Sequence, residues 1–482
     1  MMNIVNALNG LIWSKALIGL CLLTGLYFSF RTRFLQIRHI KEMVKLMIDG
    51  GDSERGVSSF QSLAISVSGR VGTGNIAGVA TAIALGGPGA LFWMWVIAFL
   101  GAGSAYIESA LAQVYKEDQD GQYRGGPAYY IEKGMGVKWY AVLFAISAVI
   151  ALGILMPGTQ SNSIAIAMEN AFGLNPMITG IVLVVALALI ILGGVKRIGK
   201  VAEIVAPIMA AGYIIIALII IVMNISALPG VFMLIIKSAF ALEPAFGGII
   251  GMTISWGVKR GIYSNEAGQG TGPQAAAAAE VSHPAKQGLV QAFSVYIDTL
   301  FVCSATGFMI LITGMYNVEN PAGGFIREAL PGVGIGPIYT QKAVESVFPA
   351  FGSAFVAISL LLFAFTSLLA YYYIGETNAA YLQKKWNCKW VINATRIFIL
   401  ATTFFGAVKT AKLAWGLADL GVGVMAWVNI IAILILQKVG FKTLDDYEEQ
   451  KAQGKDPVFD PKKLGIENAD FWVNDYQKEN IG

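Results

Sequence analysis

A segment of this chain repeats itself 190 residues further on, and this repeat restricts the folds that the chain can adopt. Seven residues of the first copy are identical in the second and two more are conservatively replaced, so that Arg70, Asn75, Ala77, Gly78, Thr81, Tyr106, Ile107, Glu108 and Ser109 correspond to Arg260, Asn265, Ala267, Gly268, Thr271, Tyr296, Ile297, Asp298 and Thr299. Each copy contains a Gly- and Asn-rich interruption within an apolar segment. The repeat therefore predicts a fold built from two related halves.

The composition places these halves in a membrane. Of the 482 residues, 56% are hydrophobic and only 13% are charged, which leaves too little polar surface for a soluble protein of this length. A helix of about 20 apolar residues crosses a bilayer. The apolar windows therefore predict an all-α polytopic membrane protein with 11 transmembrane helices, near residues 11 to 30, 60 to 85, 91 to 115, 139 to 168, 177 to 194, 201 to 223, 246 to 279, 287 to 314, 348 to 381, 391 to 408 and 413 to 437.

The basic residues of the connecting loops fall mainly on one side of this arrangement. The richer side includes Arg31, Arg33, Arg38, Lys116, Arg124, Lys133, Arg197, Lys200, Lys286, Lys384, Lys385 and Lys389. Since Lys and Arg are enriched in cytoplasmic loops, this pattern predicts a cell-membrane protein with its N-terminus outside and its C-terminus in the cytoplasm. The apolar run from Ala16 to Phe30 precedes its positive charges, the reverse of a cleavable signal peptide, so we expect it to be retained.

The eleven predicted helices divide into one extra helix and two sets of five. We expect an N-terminal helix and basic segment (1–56), a first repeat (57–235), a second repeat (236–440) and a polar cytoplasmic tail (441–482). Because five is an odd number, the second repeat enters the membrane from the opposite face, which gives inverted topology. Pro457, Pro461 and the absence of apolar periodicity argue against a folded domain in the tail.

The two interruptions predict broken helices. Residues 68–75 (SGRVGTGN) and 259–270 (KRGIYSNEAGQG) place glycines and polar residues in the middle of a span. Uncoiled backbone cannot face lipid, because each unsatisfied group costs several kcal/mol, so these segments must face protein or a water-filled cavity. Their carbonyls would suit a cation and their N–H groups a carboxylate, as in secondary transporters. Alternatively, the glycines merely allow close helix packing.

At these segments the chain resembles the alanine or glycine:cation symporter family, also called the sodium:alanine symporters. The resemblance is carried by residues 86–101 (GGPGALFWMWVIAFLG), 72–78 (GTGNIAG) and 264–268 (SNEAG), and it extends over roughly residues 11 to 440. It implies a LeuT-like fold with a 5+5 inverted repeat, and sodium-coupled uptake of alanine or glycine. It also implies a co-transported sodium ion and no cofactor. The lack of a basic tract interleaved with aromatic residues argues against a nucleic-acid partner.

The resemblance further implies which residues bind. Sodium would be held by the carbonyls of Ser68 and Val71 and the hydroxyls of Thr366 and Ser367, although hydroxyls in membrane helices usually bond a preceding carbonyl. The amino acid would be held by the two broken helices and by residues that line its side-chain pocket: Gly72, Thr73, Gly74, Asn75, Met156, Gln160, Tyr263, Ser264 and Tyr371. Ordinary packing is an equal alternative for Met156 and Gln160. Many family members have Gly-Trp at Ala370 and Tyr371, which leaves the size limit of the pocket open.

Arg70 departs from family members that have a small neutral residue there. A charge within the membrane must be paired, and Glu266 and Glu376 are the candidate partners. The group would form either a gating ion pair or a structural clamp. Glu108 and Asp298 suggest repeated structural hydrogen bonds or, alternatively, a proton relay.

The alternatives to sodium-coupled symport differ in the coupling ion, in the substrate or in the class of protein. The same architecture could be driven by protons or could carry glutamine. A channel is disfavoured because selectivity filters are usually rings from symmetric subunits. An enzyme needs a nucleophile beside an activating base. His39 and His283 fall near predicted membrane edges, and Cys21, Cys303 and Cys388 have no pair or cluster spacing, so we expect no enzymatic activity and no metal cluster.

Overall fold

The computed structural model describes residues 2–48, 56–119 and 121–476, most of which are helical. The helices up to residue 223 are α1 (Met2–Ile12), α2 (Lys15–Arg31), α3 (Leu35–Arg38), α4 (Ile40–Ile48), α5 (Ser59–Arg70), α6 (Val79–Gly86), α7 (Ala90–Val114), α8 (Pro127–Met135), α9 (Lys138–Ile150), α10 (Pro157–Phe172), α11 (Pro176–Ile191) and α12 (Gly194–Met223). The later helices are α13 (Leu228–Ala239), α14 (Ile250–Asn265), α15 (Gly272–Ala278), α16 (Pro284–Tyr296), α17 (Ser304–Thr313), α18 (Pro337–Val347), α19 (Gly352–Trp386), α20 (Val391–Val408) and α21 (Ala411–Ala452).

Shorter elements connect these helices. Two antiparallel hairpins pair β1 (Glu117–Gln119) with β2 (Gln122–Arg124) and β3 (Asn317–Glu319) with β4 (Phe325–Glu328). Widened turns of π-helix occupy Gly74–Gly78, Ala151–Leu155, Ile297–Cys303 and Phe471–Tyr476. Such turns often occur at functional sites, and the first of them lies at the first predicted break.

The eleven predicted spans all contain helix, but they differ in kind. Within the described residues, seven helices are long and apolar enough to cross a membrane: Ala90–Val114, Lys138–Phe172, Arg197–Met223, Pro284–Thr313, Gly352–Trp386, Val391–Val408 and Ala411–Ala452. The helices α1 and α2, which meet at a bend of 41°, add an eighth if they are taken as one span. Of the three other windows, one holds the 16-residue helix α11 and two hold broken helices, whose separate pieces are too short to qualify. The protein is therefore a multi-pass, mainly helical membrane protein.

Local sequence signals explain where many helices begin and end. Ser58 and Gln61 form a capping box at the start of α5. Proline occupies the first turn of α8, α10, α11, α15, α16 and α18, where its missing N–H does no harm. Left-handed glycines end α8, α10 and α17 at Gly136, Gly173 and Gly314.

Small residues allow the central helices to approach closely. Helix α14 crosses α7 at Gly257, where a Cβ atom would lie 2.5 Å from the carbonyl oxygen of Ala90. Helix α10 crosses α20 at Gly158 and Gly406, and a Cβ atom on Gly406 would lie 2.2 Å from the Cα of Gly158. Such contacts replace the hydrophobic driving force that is missing between helices in lipid.

One end of the bundle gathers the loops around residues 32–34, 115–126, 279–283 and 387–390, and we call it the basic end. Contacts between these loops place them together: Lys384 pairs with Glu117 at 2.7 Å, and the Lys116 amine donates to the carbonyl of Ala279 at 3.0 Å. Arg33 pairs at 2.7 Å with Glu448, near the C-terminal end of α21.

The C-terminal region differs from the polar tail without folded structure that the sequence predicted. Helix α21 continues to Ala452, and Phe459, Phe471 and Trp472 are buried against the basic end. These aromatic residues lie in two short apolar runs, 457–459 and 471–473, which are too short to produce an apolar period in the sequence. Their contacts are with loops far away along the chain.

Candidate functional site

The two predicted breaks are real interruptions, and each is shorter than the segment that predicted it. Helix α5 ends at Arg70, Val71 is extended (φ −76°, ψ 90°), and helical structure resumes at Gly74. Helix α14 ends at Asn265, and α15 begins at Gly272. Between them Glu266, Gly268 and Gly270 have φ values of 56°, 78° and 86°.

The breaks lie against each other in the interior. A Cβ atom on Gly74 would lie 3.1 Å from the Cα of Ser264 and 3.2 Å from the ring of Tyr263. Only glycine allows so close an approach of two backbones. Of the candidate binding residues, those with side chains are at most 2% exposed, so the site is closed to both faces.

Backbone N–H groups of the first break donate to side-chain amides. The N–H of Gly72 donates to Oδ1 of Asn75 at 2.8 Å, and the N–H of Thr73 donates to Oε1 of Gln160 at 3.0 Å. Gln160 in turn donates to the hydroxyl of Tyr371 at 3.1 Å. The structure thus joins Gln160 and Tyr371 to the first break.

Met156 and Tyr263 border the same region. The sulfur of Met156 lies 3.9 Å from Nε2 of Gln269 in the second break. The hydroxyl of Tyr263 is buried and makes no hydrogen bond within the described part of the chain, and its ring packs against Trp415 at 5.0 Å between centroids. A buried hydroxyl without a partner is unfavourable, so this group is available to a ligand.

The candidate sodium ligands come together only in part. The hydroxyl of Ser367 lies 3.0 Å from the carbonyl of Ser68 and 3.0 Å from the carbonyl of Phe363 in its own helix, and a Cβ atom on Gly72 would lie 2.3 Å from that hydroxyl. Helix α19 therefore touches the first break at the predicted position. The hydroxyl of Thr366 bonds instead to the carbonyls of Leu362 and Phe363 in its own helix, at 3.0 and 2.9 Å.

The repeated carboxylate of the second copy, Asp298, contacts residues beside both breaks. Asp298 follows α16 and accepts from the Asn75 amide and from the Ser264 hydroxyl, the latter at 3.0 Å. The thiol of Cys303 lies beside the same two groups, 3.3 Å from Asn75 Nδ2 and 3.2 Å from Ser264 Oγ.

The repeated carboxylate of the first copy, Glu108, lies in α7 and hydrogen-bonds the second break. Glu108 accepts from the N–H of Gly268 at 3.2 Å and from the Asn429 amide at 2.7 Å. Each repeat therefore provides a buried acid that hydrogen-bonds the break of the other repeat. Hydrogen bonds to backbone at an uncoiled segment replace those that the helix has lost.

The proposed partners of Arg70 require a correction. Glu376 does not pair with Arg70; it pairs with Arg124, through two hydrogen bonds of 3.0 Å at the basic end. Arg70 donates to Ser294 and to the carbonyl of Gln291, while its Nε and Nη2 have no hydrogen-bond partner among the described residues. Glu266 accepts from Thr271 at 2.7 Å. The predicted pair does not form because Glu376 lies about two and a half helical turns beyond Ser367 in α19, towards the basic end.

A cluster of buried charges that the sequence analysis did not predict joins α14 to α21. Arg260, the counterpart of Arg70, donates to both oxygens of Asp419 at 2.6 and 2.7 Å, and Lys259 pairs with the same carboxylate at 2.7 Å. The guanidinium also lies over the ring of Trp415, 4.5 Å from its centroid. The sequence signal that could have predicted this cluster is Asp419, because an acidic residue within an apolar span is a candidate functional residue.

The whole chain was compared with known proteins. The sodium:alanine symporter family matches residues 1–461. The "Putative sodium/proton-dependent alanine carrier protein YrbD" of Bacillus subtilis is 64% identical over 480 residues, which cover 100% of this chain and 99% of that protein. The sodium/proton-dependent alanine carrier protein of Bacillus sp. strain PS3 is 52% identical, over 90% of this chain and 98% of its own length.

A third relative carries a different substrate in its name. The "Probable sodium/glutamine symporter GlnT" of Bacillus subtilis is 48% identical, over 95% of this chain and 93% of that protein. The match to the family thus covers both repeats and both breaks, and the relatives are aligned over nearly their full lengths. The chain belongs to the sodium:alanine symporter family.

Proposed function

We propose that this protein imports a small neutral amino acid, alanine or glycine, together with sodium. The observation that carries the proposal is the meeting of two uncoiled backbone segments in a buried site lined by Gln160, Ser367 and Tyr371. We further propose eleven membrane-spanning helices in a LeuT-like arrangement, with repeats at 57–235 and 236–440. The basic end would face the cytoplasm, because Lys and Arg are enriched there.

The substrate carboxylate would bind at the first break. The N–H groups of Gly72 and Thr73 now donate to amide oxygens of Asn75 and Gln160, and a carboxylate could accept from the same two donors. The start of the following helical segment, at Gly74, contributes a favourable positive dipole. The amino group would lie toward Tyr263 and Ser264, while Met156, Gln160 and Tyr371 would limit the size of the side chain.

Sodium would bind where α19 touches the first break. We assign the carbonyls of Ser68 and Val71 and the hydroxyls of Ser367 and Thr366 as its ligands. The 3.0 Å contact between Ser367 and Ser68 supports this assignment. Oxygen ligands without thiolate or imidazole suit a hard cation. Thr366 would have to turn from the helix carbonyls to which it now donates.

One sodium ion per cycle supplies enough free energy for accumulation. A membrane potential of about 100 mV contributes roughly 2.3 kcal/mol per charge. A tenfold sodium gradient adds about 1.4 kcal/mol. The sum supports a concentration ratio of several hundred for a neutral amino acid. Transport would require the basic end to open. Opening would break contacts that α5 and α15 make with neighbouring helices at that end.

Two variants of this function have specific support. Proton coupling is suggested by the names of the two alanine-carrier relatives and by the buried acids Glu108, Glu266 and Asp298. Glutamine transport is suggested by the name of the third relative. Both retain the same site and differ in the ion or in the size of the substrate pocket.

The deciding experiment is uptake of labelled alanine by proteoliposomes that contain the purified protein. We expect accumulation with an inward sodium gradient and none when potassium replaces sodium. Uptake driven by a pH gradient alone would favour the proton variant. Competition by glycine, D-alanine and glutamine then defines the substrate, and stronger competition by glutamine than by glycine would overturn the assignment to small amino acids.

A further inference from the structure

The segment 456–476, which we call the C-terminal strap, is bound to the basic end beside the second broken helix. The N–H of Phe459 donates to the carbonyl of Ser282 at 2.9 Å, and the hydroxyl of Ser282 donates to the carbonyl of Pro457 at 2.8 Å. Asp456 pairs with Lys286 at 2.7 Å. The strap thus binds the turn between α15 and α16 through hydrogen bonds and an ion pair.

Trp472 anchors the other part of the strap. Its side chain is fully buried, and its indole N–H donates to the carbonyl of Gln113 at 2.9 Å near the end of α7. Burial of a Trp side chain removes a large apolar area from water, so this contact is a strong one. Asp470 adds an ion pair with Lys133 at 3.1 Å.

A buried lysine connects this anchor to the end of α15. The Lys116 amine lies over the rings of Tyr123, Phe471 and Trp472, at 4.6, 4.5 and 5.3 Å from their centroids. The same amine donates to the carbonyl of Ala279 at 3.0 Å. Burial lowers the pKa of Lys116 to about 7, and the three ring faces offset part of the cost of burying its charge.

The two halves of the broken helices that lie at the basic end, α5 and α15, contact the neighbours of the strap and each other. Gln113, whose carbonyl receives Trp472, donates through its side chain to the carbonyl of Ala279 at 2.9 Å. The N–H of Val57, before α5, donates to the carbonyl of Ala278 at 3.0 Å, and Ser62 of α5 donates to that of Ala275 at 2.7 Å. The strap, α7, α15 and α5 therefore form one continuous set of contacts that closes the basic end.

We propose that the C-terminal strap is an intramolecular clamp that stabilises the closed basic end. Opening at this end requires the broken helices and the helices packed on them to move relative to α21. The strap continues from α21 and is held to it by the Lys442 amine, which donates to the carbonyl of Leu464 at 2.8 Å, so its contacts with Ser282 and Gln113 resist this movement. A contact made in one of two states shifts the equilibrium toward that state. The strap therefore sets how often the binding region becomes accessible from the basic end. The purpose of this clamp rests on the proposed transport function, whereas its test does not.

The test uses Cys303 as a native reporter, because it is buried beside Asn75 and Ser264. A charged, membrane-impermeant methanethiosulfonate is added to inside-out vesicles, and labelling of the Cys303 peptide is followed by mass spectrometry. We expect Trp472→Ala and a chain ending at residue 455 to raise the labelling rate about tenfold, since loss of a large buried contact from one state shifts the ratio of states at least that far. Trp390→Ala removes an exposed Trp at the same end and serves as the matched control, with an unchanged rate.

A milder variant covers the case in which loss of Trp472 prevents folding. Asp456 has an exposed side chain, so Asp456→Lys should fold, and it should raise the labelling rate about twofold by breaking an exposed ion pair. The double variant Asp456→Lys with Lys286→Asp should return the rate to that of the wild type.

Two results would overturn the clamp. The first is an unchanged labelling rate in all strap variants that fold. The second is an equal rise when the reagent is added to right-side-out vesicles, which would indicate general loosening of the bundle. Neither depends on uptake: if the wild type carries no alanine with sodium, the proposed function fails and the labelling result still decides the clamp.

Discussion

The two broken helices descend from one repeated pattern, yet they interrupt the helix in different ways. The first break spans only residues 71–73, has no residue in the left-handed region, and exposes N–H groups to side-chain amides. The second spans residues 266–271 and contains three left-handed residues. The first break therefore presents backbone N–H donors to its neighbours, whereas the second is an irregular turn built on positive φ angles.

The buried arginines next to the breaks have also diverged. Arg260 is paired with Asp419 and lies against Trp415, whereas the equivalent Arg70 makes hydrogen bonds to neutral groups. A duplicated sequence thus places equivalent residues at equivalent positions without fixing their partners. We propose that the first break provides most of the contacts to the ligands, and that the ion pairs of Lys259 and Arg260, in the helix before the second break, stabilise the bundle.

The largest effect is expected for Asp419→Asn. It leaves Lys259 and Arg260 buried without a counter-charge, and loss of one partner of a buried pair costs about 3–5 kcal/mol. Thermal unfolding of the purified protein in detergent should show this loss. Asp445→Asn, an exposed acid in the same helix, is the matched control. Equal stability of Asp419→Asn and wild type would contradict the structural role of the ion pairs.

Gly72→Ala tests the first break. The new Cβ atom would lie 2.3 Å from the hydroxyl of Ser367 and 3.0 Å from Oε1 of Gln160, so both side chains must leave their positions. We expect kcat/KM for alanine to fall about 100-fold, or roughly 2.7 kcal/mol, and overpacking to lower the free energy of unfolding by about 1–3 kcal/mol. The control is Gly248→Ala, since a Cβ atom there meets nothing within 4 Å. Normal transport by Gly72→Ala would show that the first break does not bind the ligands.

Gly270→Ala tests the second break. Its φ of 86° disfavours any residue with a side chain, and the Cβ atom would lie 2.8 Å from Pro127 and 2.9 Å from Phe144. We expect a loss of stability of about 2 kcal/mol from backbone strain and overpacking. Denaturation of the variant in detergent measures it. If Gly270→Ala impairs transport and leaves stability unchanged, the second break does not act mainly through stability.

The smallest expected effect concerns sodium. Ser367→Ala removes the hydroxyl that contacts the carbonyl of Ser68, and it should raise the sodium concentration for half-maximal uptake about tenfold, equivalent to roughly 1.4 kcal/mol. Ser359→Ala, which removes a largely buried hydroxyl of the same helix, is the matched control. The same sodium dependence in both variants would remove Ser367 from the sodium site.

The sequence predicts local features of this protein better than its long-range pairs. Both breaks were predicted because glycine and asparagine mark interruptions locally, and the apolar windows all contain helix. The pairing of Glu376 with Arg124, 252 residues apart, depends on how two helices meet, which no local pattern records. Burial of Trp472 against Gln113, 359 residues away, escaped prediction for the same reason.

The most direct test of the account is binding of labelled alanine to the purified protein at equilibrium, in sodium and in potassium. If the two breaks hold the amino acid beside a sodium ion, wild-type protein should bind alanine in sodium and bind it at least about 100-fold more weakly in potassium, whereas Gly72→Ala should bind weakly in both. Equal affinity in the two salts, or unimpaired binding by Gly72→Ala, would contradict the proposed site.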